Sequence, residues 1–278
     1  MKIGICADST CDIPQDLIKK YDIRLMPITI ALGEDIRHDG IDVLPQDVFE
    51  YVEKTGNLPK TSAMNSVEYS EFFGKLRQEF DAVIHFALSF GISSTGNNAR
   101  LASMEYENVY VVDTKSLTSG SGLLILSCVD KIAEGKDVEQ IVKELDEEAD
   151  KLQASFVIDT LKYLHKGGRC SSIALLGANL LKIKPRISVI DGKMQMTKKY
   201  RGKLNDVFMQ YTDEILEEVK PNKKRVCLTY SSPVEPARTK ILEKLKEYGF
   251  EEILETSACA TICTHCGRDT MGIIYMAE

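Results

Sequence analysis

Several short segments of this chain carry residue types and spacings capable of chemistry. Thr61-Ser62 follows Pro59-Lys60 in what reads as a loop, and Ser93-Ser94-Thr95 follows Gly91 where a strand hands over to a helix. The free N–H groups of a helix start favour an anion, and hydroxyls beside them complete a carboxylate or phosphate site. The same hydroxyls also serve as ordinary helix caps. Lys166-Gly167-Gly168-Arg169 lets backbone approach a ligand closely and then offers a planar, charged donor. It lacks the spacing and the Lys-Ser/Thr ending of a nucleotide phosphate loop, and it also reads as a helix end followed by a solvated Arg. His265, expected in a loop between two strands, can donate to an anion or act as a base. Cys259-x3-Cys263-x2-Cys266 has the spacing of an iron–sulfur ligand run, as in radical enzymes using S-adenosylmethionine. Zinc ligation and three free thiols near a reducing surface are the other readings of that trio. A hydrolase or acyltransferase would take Ser93 or Ser94 as nucleophile and His265 as base, but the nucleophile-elbow pattern is missing.

The elements that must position these groups follow from composition and pattern. The chain has 278 residues, 44% hydrophobic and 28% charged, which are values of a globular protein of one large or two ordinary domains. Its net charge, 35 − 42 = −7, argues against wrapping nucleic acid or an anionic membrane. The start, Met1-Lys2-Ile3-Gly4-Ile5, runs straight into a strand, and no apolar run reaches the ~18 residues of a membrane span, so a cytoplasmic protein is expected. Most of the eight Cys should then be free thiols, with Cys6, Cys128 and Cys227 inside the core.

In the first half, strands are expected at 3–7, 25–32 (interrupted by Pro27), 82–88 and 109–113. Helices are expected near 14–20, capped by Asp12, from Pro45, from Asn65 with an Asn65-x-x-Glu68 capping box, and over 93–104. A long helical stretch over 121–152 looks like an outer helix before a domain boundary. This alternation predicts a mostly parallel sheet with helices on both faces. In the second half, strands are expected at 156–159, 186–190, 226–230, 253–256 and 271–276, with a primed turn at Asp191-Gly192 and helices near 206–219 and 236–248. The fold class is therefore α/β in two domains, residues 1–155 and an α+β unit with a mixed or antiparallel sheet over 156–278, with a ligand between them.

Taken together and in order, these segments resemble the DegV family of fatty-acid-binding proteins, which includes the binding subunits of bacterial fatty acid kinase. The resemblance runs through Asp8-Ser9-Thr10-Cys11-Asp12, Lys60-Thr61-Ser62, Leu88-Ser89-Phe90-Gly91-Ile92-Ser93-Ser94-Thr95 and Val111-Val112-Asp113-Thr114. It continues through Leu164-His165-Lys166-Gly167-Gly168-Arg169, Ile183-Lys184-Pro185, Thr264-His265-Cys266-Gly267 and Gly272-Ile273-Ile274-Tyr275. It implies a non-enzymatic subunit, without a cofactor, that binds one long-chain fatty acid in an interdomain tunnel. The carboxylate would be held by Thr61, Ser62, Ser93, Ser94, Arg169 and His265, and shown to a separate kinase that makes the acyl-phosphate from ATP. Ala63, Met64, Phe90, Leu175, Leu176, Leu180 and Ile274 are candidates for the tail slot. Lys199, Arg201 and Lys203 are candidates for docking the partner or, transiently, a membrane surface. Two departures stand out: Ala63-Met64-Asn65 where the family usually has Gln-Pro, and His265-Cys266-Gly267-Arg268-Asp269 where it usually has His-x-Gly-Pro-Gly.

Overall fold

The computed structural model describes residues 1–170 and 183–278. The first half runs β1 (Ile3–Asp8), α1 (Gln15–Lys20), β2 (Arg24–Met26), β3 (Thr29–Leu32), β4 (Asp35–His38) and α2 (Pro45–Thr55). Then come β5 (Lys60–Ser62), α3 (Ser66–Leu76), β6 (Ala82–Ala87), α4 (Thr95–Ser103), β7 (Val109–Asp113), α5 (Ser119–Ala133) and α6 (Val138–Ala149). The rest runs β8 (Leu152–Val157), α7 (Lys162–Gly167), β9 (Lys184–Ile190), β10 (Lys193–Tyr200), α8 (Leu204–Glu218), β11 (Pro221–Tyr230), α9 (Ala237–Tyr248), β12 (Glu252–Ser257), α10 (Ala260–Cys266) and β13 (Met271–Ala277).

Three sheets result among the described residues. The order β2-β1-β6-β7 is parallel throughout, as the near-continuous apolar runs of β1 and β6 require for strands covered on both faces. The order β10-β9-β8-β13-β11-β12 is mixed: only the β11/β12 pair is parallel. A small antiparallel sheet, β4-β3-β5, was not expected. It forms because Pro27 has no N–H for a ladder, so the run over 25–32 splits and its second part leaves for a different sheet. Thr61 and Ser62 consequently sit on a short strand, not in a loop.

The stretch over 121–152 is two helices. Asp137 caps α6 through Gln140 N, and α5 is no outer helix: Leu123, Leu124, Ile125 and Cys128 are fully or almost fully buried. Helix α5 packs in one core with Ile84 and Phe86 of the parallel sheet and with Ala154, Cys227 and Ile274 of the mixed sheet. The mixed sheet's opposite face packs Ile273 and Tyr275 against Phe208 and Tyr211 of α8, so alternate residues of β13 serve opposite layers. The division expected after residue 155 falls within β8, all of which belongs to the mixed sheet. The Asn65/Glu68 capping box and the positive φ of both Asp191 and Gly192 are as the sequence predicts. Among the described residues no helix is long and apolar enough to cross a membrane.

Candidate functional site

An apolar cavity lies between the loops after β6 and β7, at the C-terminal ends of parallel strands, and the face of the mixed sheet. Leu88, Ile92 and Leu117 line it from one side, and Phe156, Met194 and Ile274 from the other. Space not filled by atoms amounts to about 870 Å³, its mouth included. Of the proposed tail residues, Ala63 and Ile274 belong to the lining. Met64 and Phe90 do not. Met64 packs into a separate core with Tyr69 and Phe73, and Phe90 lies under the Arg100 guanidinium, 5.4 Å away. Leu175, Leu176 and Leu180 lie outside the described residues.

The polar end of the cavity is built from segments far apart in sequence. Thr61 Oγ1 and His265 Nε2 are hydrogen-bonded at 2.9 Å across 204 residues. Ser62, Ser93 and Arg169 line the same end, whereas Ser94 is exposed at the start of α4 and outside the lining. The Ser93 hydroxyl accepts from Thr95 N (3.2 Å), and Arg169 Nη1 donates to the Gly167 carbonyl (2.6 Å). Two hydroxyl segments are held together by Thr95, whose Oγ1 accepts from Met64 N (3.2 Å), and by Asn98, whose Nδ2 donates to the Met64 carbonyl (2.7 Å). Behind Thr95 stands a buried network: Tyr69 OH lies 3.2 Å from Thr95 Oγ1 and bonds Asp8, which also accepts from Leu88 N (2.8 Å).

His265 is on a helix, α10, not in a loop. The start of α10 is fixed by two buried aspartates from the other half of the chain. Asp12 Oδ1 accepts from Cys259 N (3.0 Å), and Asp39 accepts from Ala260 N (3.0 Å) and Thr261 N (3.3 Å). Free N–H groups of a helix start are thereby paired with carboxyl oxygens. Asp12 does not cap α1, whose N-cap position is Pro14; it adopts φ 36° and also takes the Thr118 hydroxyl. Burial pushes the Asp12 carboxyl up to about 7, with the nearby charge of Asp39 adding to it against the bond from Thr118. Burial, followed by the charge of Arg169, pushes His265 down to about 4, so the ring is neutral at pH 7. Its Nδ1 is buried with no hydrogen-bond partner among the described residues. Gly167 makes room for the ring: a Cβ there would stand 2.6 Å from Nδ1.

These positions decide between the readings of the sequence. No hydrogen bond joins Ser93 or Ser94 to His265 among the described residues, and His265 Nε2 is engaged by Thr61, so the pairing of nucleophile and base is not in place. Two of the three Cys are not surface thiols: Cys263 packs in the core between α10 and α2, and Cys266 packs beside the cavity, whereas Cys259 is half-buried. Cys263 is raised by its bond with Cys266 and by burial, and Cys259 by burial and then by Asp12 and Asp39, so both are held as thiols. Among the described residues no three His, Cys, Asp or Glu side chains are grouped to hold a metal. Cys6, Cys128 and Cys227 are free and buried, as expected.

The fold and site together define an α/β protein with an apolar slot that opens to the surface and is lined also by a set of hydroxyls, a neutral imidazole and a guanidinium. The chain belongs to the DegV family: residues 2–278 match the model described as "Uncharacterised protein, DegV family". It is 30% identical to Protein DegV of Bacillus subtilis, over 99% of each chain. A structure described as fatty acid binding of a DegV family protein from Thermus thermophilus superposes with a TM-score of 0.91 at 26% identity, covering all of both chains. That of DegV, a fatty acid binding protein from Bacillus subtilis, superposes with a TM-score of 0.88 at 28% identity, again over the whole of both.

Proposed function

We propose that this protein binds one long-chain fatty acid, with the tail in the apolar cavity and the carboxylate among Thr61, Ser62, Ser93, Arg169 and His265. The observation that carries the reading is the Thr61–His265 pair at the polar end of an otherwise apolar slot, beside an unpaired buried His265 Nδ1. A carboxylate removed from water needs several donors, whereas the tail needs only apolar cover, at about 0.8 kcal/mol per buried methylene. The fatty acids bound by the Thermus thermophilus and Bacillus subtilis proteins support the same use here.

The protein acts without a cofactor as a carrier that presents the carboxylate to a separate kinase. In support, a second, open space shares Thr61, Arg169 and His265 with the cavity and adds Lys60, Tyr163 and Lys166, so the head-group site reaches the surface. Exposed Lys199, Arg201 and Lys203 would dock that partner or, transiently, a membrane surface, in the cytoplasm. Mass spectrometry of organic extracts of the purified protein should find a near-stoichiometric long-chain fatty acid that is lost in Thr61→Val. A protein that is lipid-free and takes up no added fatty acid would overturn the proposal. Acyl-phosphate formed from ATP by this protein alone would overturn the carrier role.

A further inference from the structure

Not all hydroxyls on the cavity wall are accounted for by the fold. Besides the head-group residues, the lining includes Thr118, Ser231 and Thr270, and each has a partner. Thr118 donates to Asp12, Ser231 accepts from Thr270 N at 3.1 Å, and Thr270 donates to the Cys266 carbonyl at 3.2 Å. Thr229 and Thr261 line the same cavity and differ. They are 6% and 5% exposed, and the hydroxyl of each is buried with no partner among the described residues. Leaving a buried hydroxyl unpaired is unfavourable, and a chain of methylenes laid against it offers nothing in return.

The placement of the two residues is specific. Thr261 lies in the first turn of α10, four residues before His265, which puts the two on the same helix face with their Cβ atoms about 5–6 Å apart. Thr229 comes from β11, opposite Gly272 of β13. Its methyl group packs toward that glycine, where an added Cβ would stand 3.3 Å from Thr229 Cγ2. Gly272 itself lines the cavity. The neighbouring Thr256, opposite Thr229 on β12, bonds Ser119 at 2.6 Å and makes no bond to Thr229.

We propose that the unpartnered hydroxyls of Thr229 and Thr261 are polar positions on the tail slot, one or both of which receive a hydroxyl on the acyl chain. The ligand class is then a hydroxy fatty acid in preference to the unsubstituted chain. Each Thr can donate to and accept from such an oxygen, and the apolar walls around it make a pairing worth more than in water. This inference rests on the fatty acid reading above and narrows it.

The test is competition binding to the full-length protein. A series of fatty acids of one length, with a single hydroxyl walked along the chain, is compared with the unsubstituted acid. Wild type should prefer one hydroxy isomer by about tenfold, the worth of one or two hydrogen bonds. Thr229→Val and Thr261→Val keep the shape and remove the hydroxyl. At least one should reduce that preference, and the double variant should favour the unsubstituted acid. Thr229→Ser and Thr261→Ser should keep the preference. Wild type that binds the unsubstituted acid as well as every hydroxy isomer would overturn the subsite, since the hydroxyls then take only water. A preference that survives the Val variants would also overturn it. Failure to bind any acid of either kind would instead overturn the fatty acid reading itself.

Discussion

Asp12→Asn isolates the buried carboxyl that holds the start of α10. Asp12 is buried, and its pKa stands at about 7 against an ordinary 3.8. The folded protein therefore keeps a proton that the unfolded chain has already lost over that interval. The contribution of this group to stability is complete below about pH 4, falls as pH rises, and has been lost once pH passes about 7. About 3 units at about 1.4 kcal/mol each makes the change about 4 kcal/mol. In D12N the amide oxygen can still accept from Cys259 N, and the amide NH₂ can face the Thr118 hydroxyl, so the geometry has a neutral substitute. Urea unfolding of both proteins at intervals from pH 4 to pH 8 gives the comparison. Subtracting one curve from the other removes the titrations they share. The stability of wild type relative to D12N should fall by about 4 kcal/mol across the range. A difference that stays flat would mean that Asp12 titrates alike in both states, and the argument from burial would be wrong.

Two further outcomes follow from the head-group geometry. Gly167→Ala should weaken fatty acid binding about tenfold, because its Cβ would stand 2.6 Å from His265 Nδ1 and displace the ring; unchanged affinity by calorimetry would refute the packing argument. The ring of His265, followed by NMR in the ligand-free protein, should titrate near pH 4, rise when a fatty acid carboxylate binds beside it, and rise in Arg169→Gln without ligand; a free-protein midpoint near the ordinary ~6.5 would show that burial does not hold the ring neutral.

What the sequence by itself determined was mostly local. Apolar runs with strand–helix alternation placed β1, β6, β7 and β13, the Asn65/Glu68 pair placed the start of α3, and Asp191-Gly192 placed the β9–β10 hairpin. These are settled by residues within a few positions of one another. The order of small motifs carried the resemblance to the DegV family, and the resemblance implied the set Thr61, Ser62, Ser93, Ser94, Arg169 and His265, of which all but Ser94 line the cavity. Only the tertiary structure decided how they meet. The seven-residue α10 is too short to show a period, and its first N–H groups are paired by Asp12 and Asp39, which lie 247 and 221 positions away. Read locally, Asp12 is a cap for α1, because nothing near it in sequence reveals the distant helix it serves. Helix α5 reads as peripheral for the same reason: its second apolar face is covered by β8, β11 and β13, all contributed later in the chain. Met64 and Phe90 are absent from the cavity lining because they pack elsewhere, Met64 on Tyr69 and Phe73 and Phe90 under Arg100, partners that no local pattern reveals. The unpaired hydroxyls of Thr229 and Thr261 are likewise invisible in one dimension, since whether a buried polar atom has a partner is decided by everything that surrounds it.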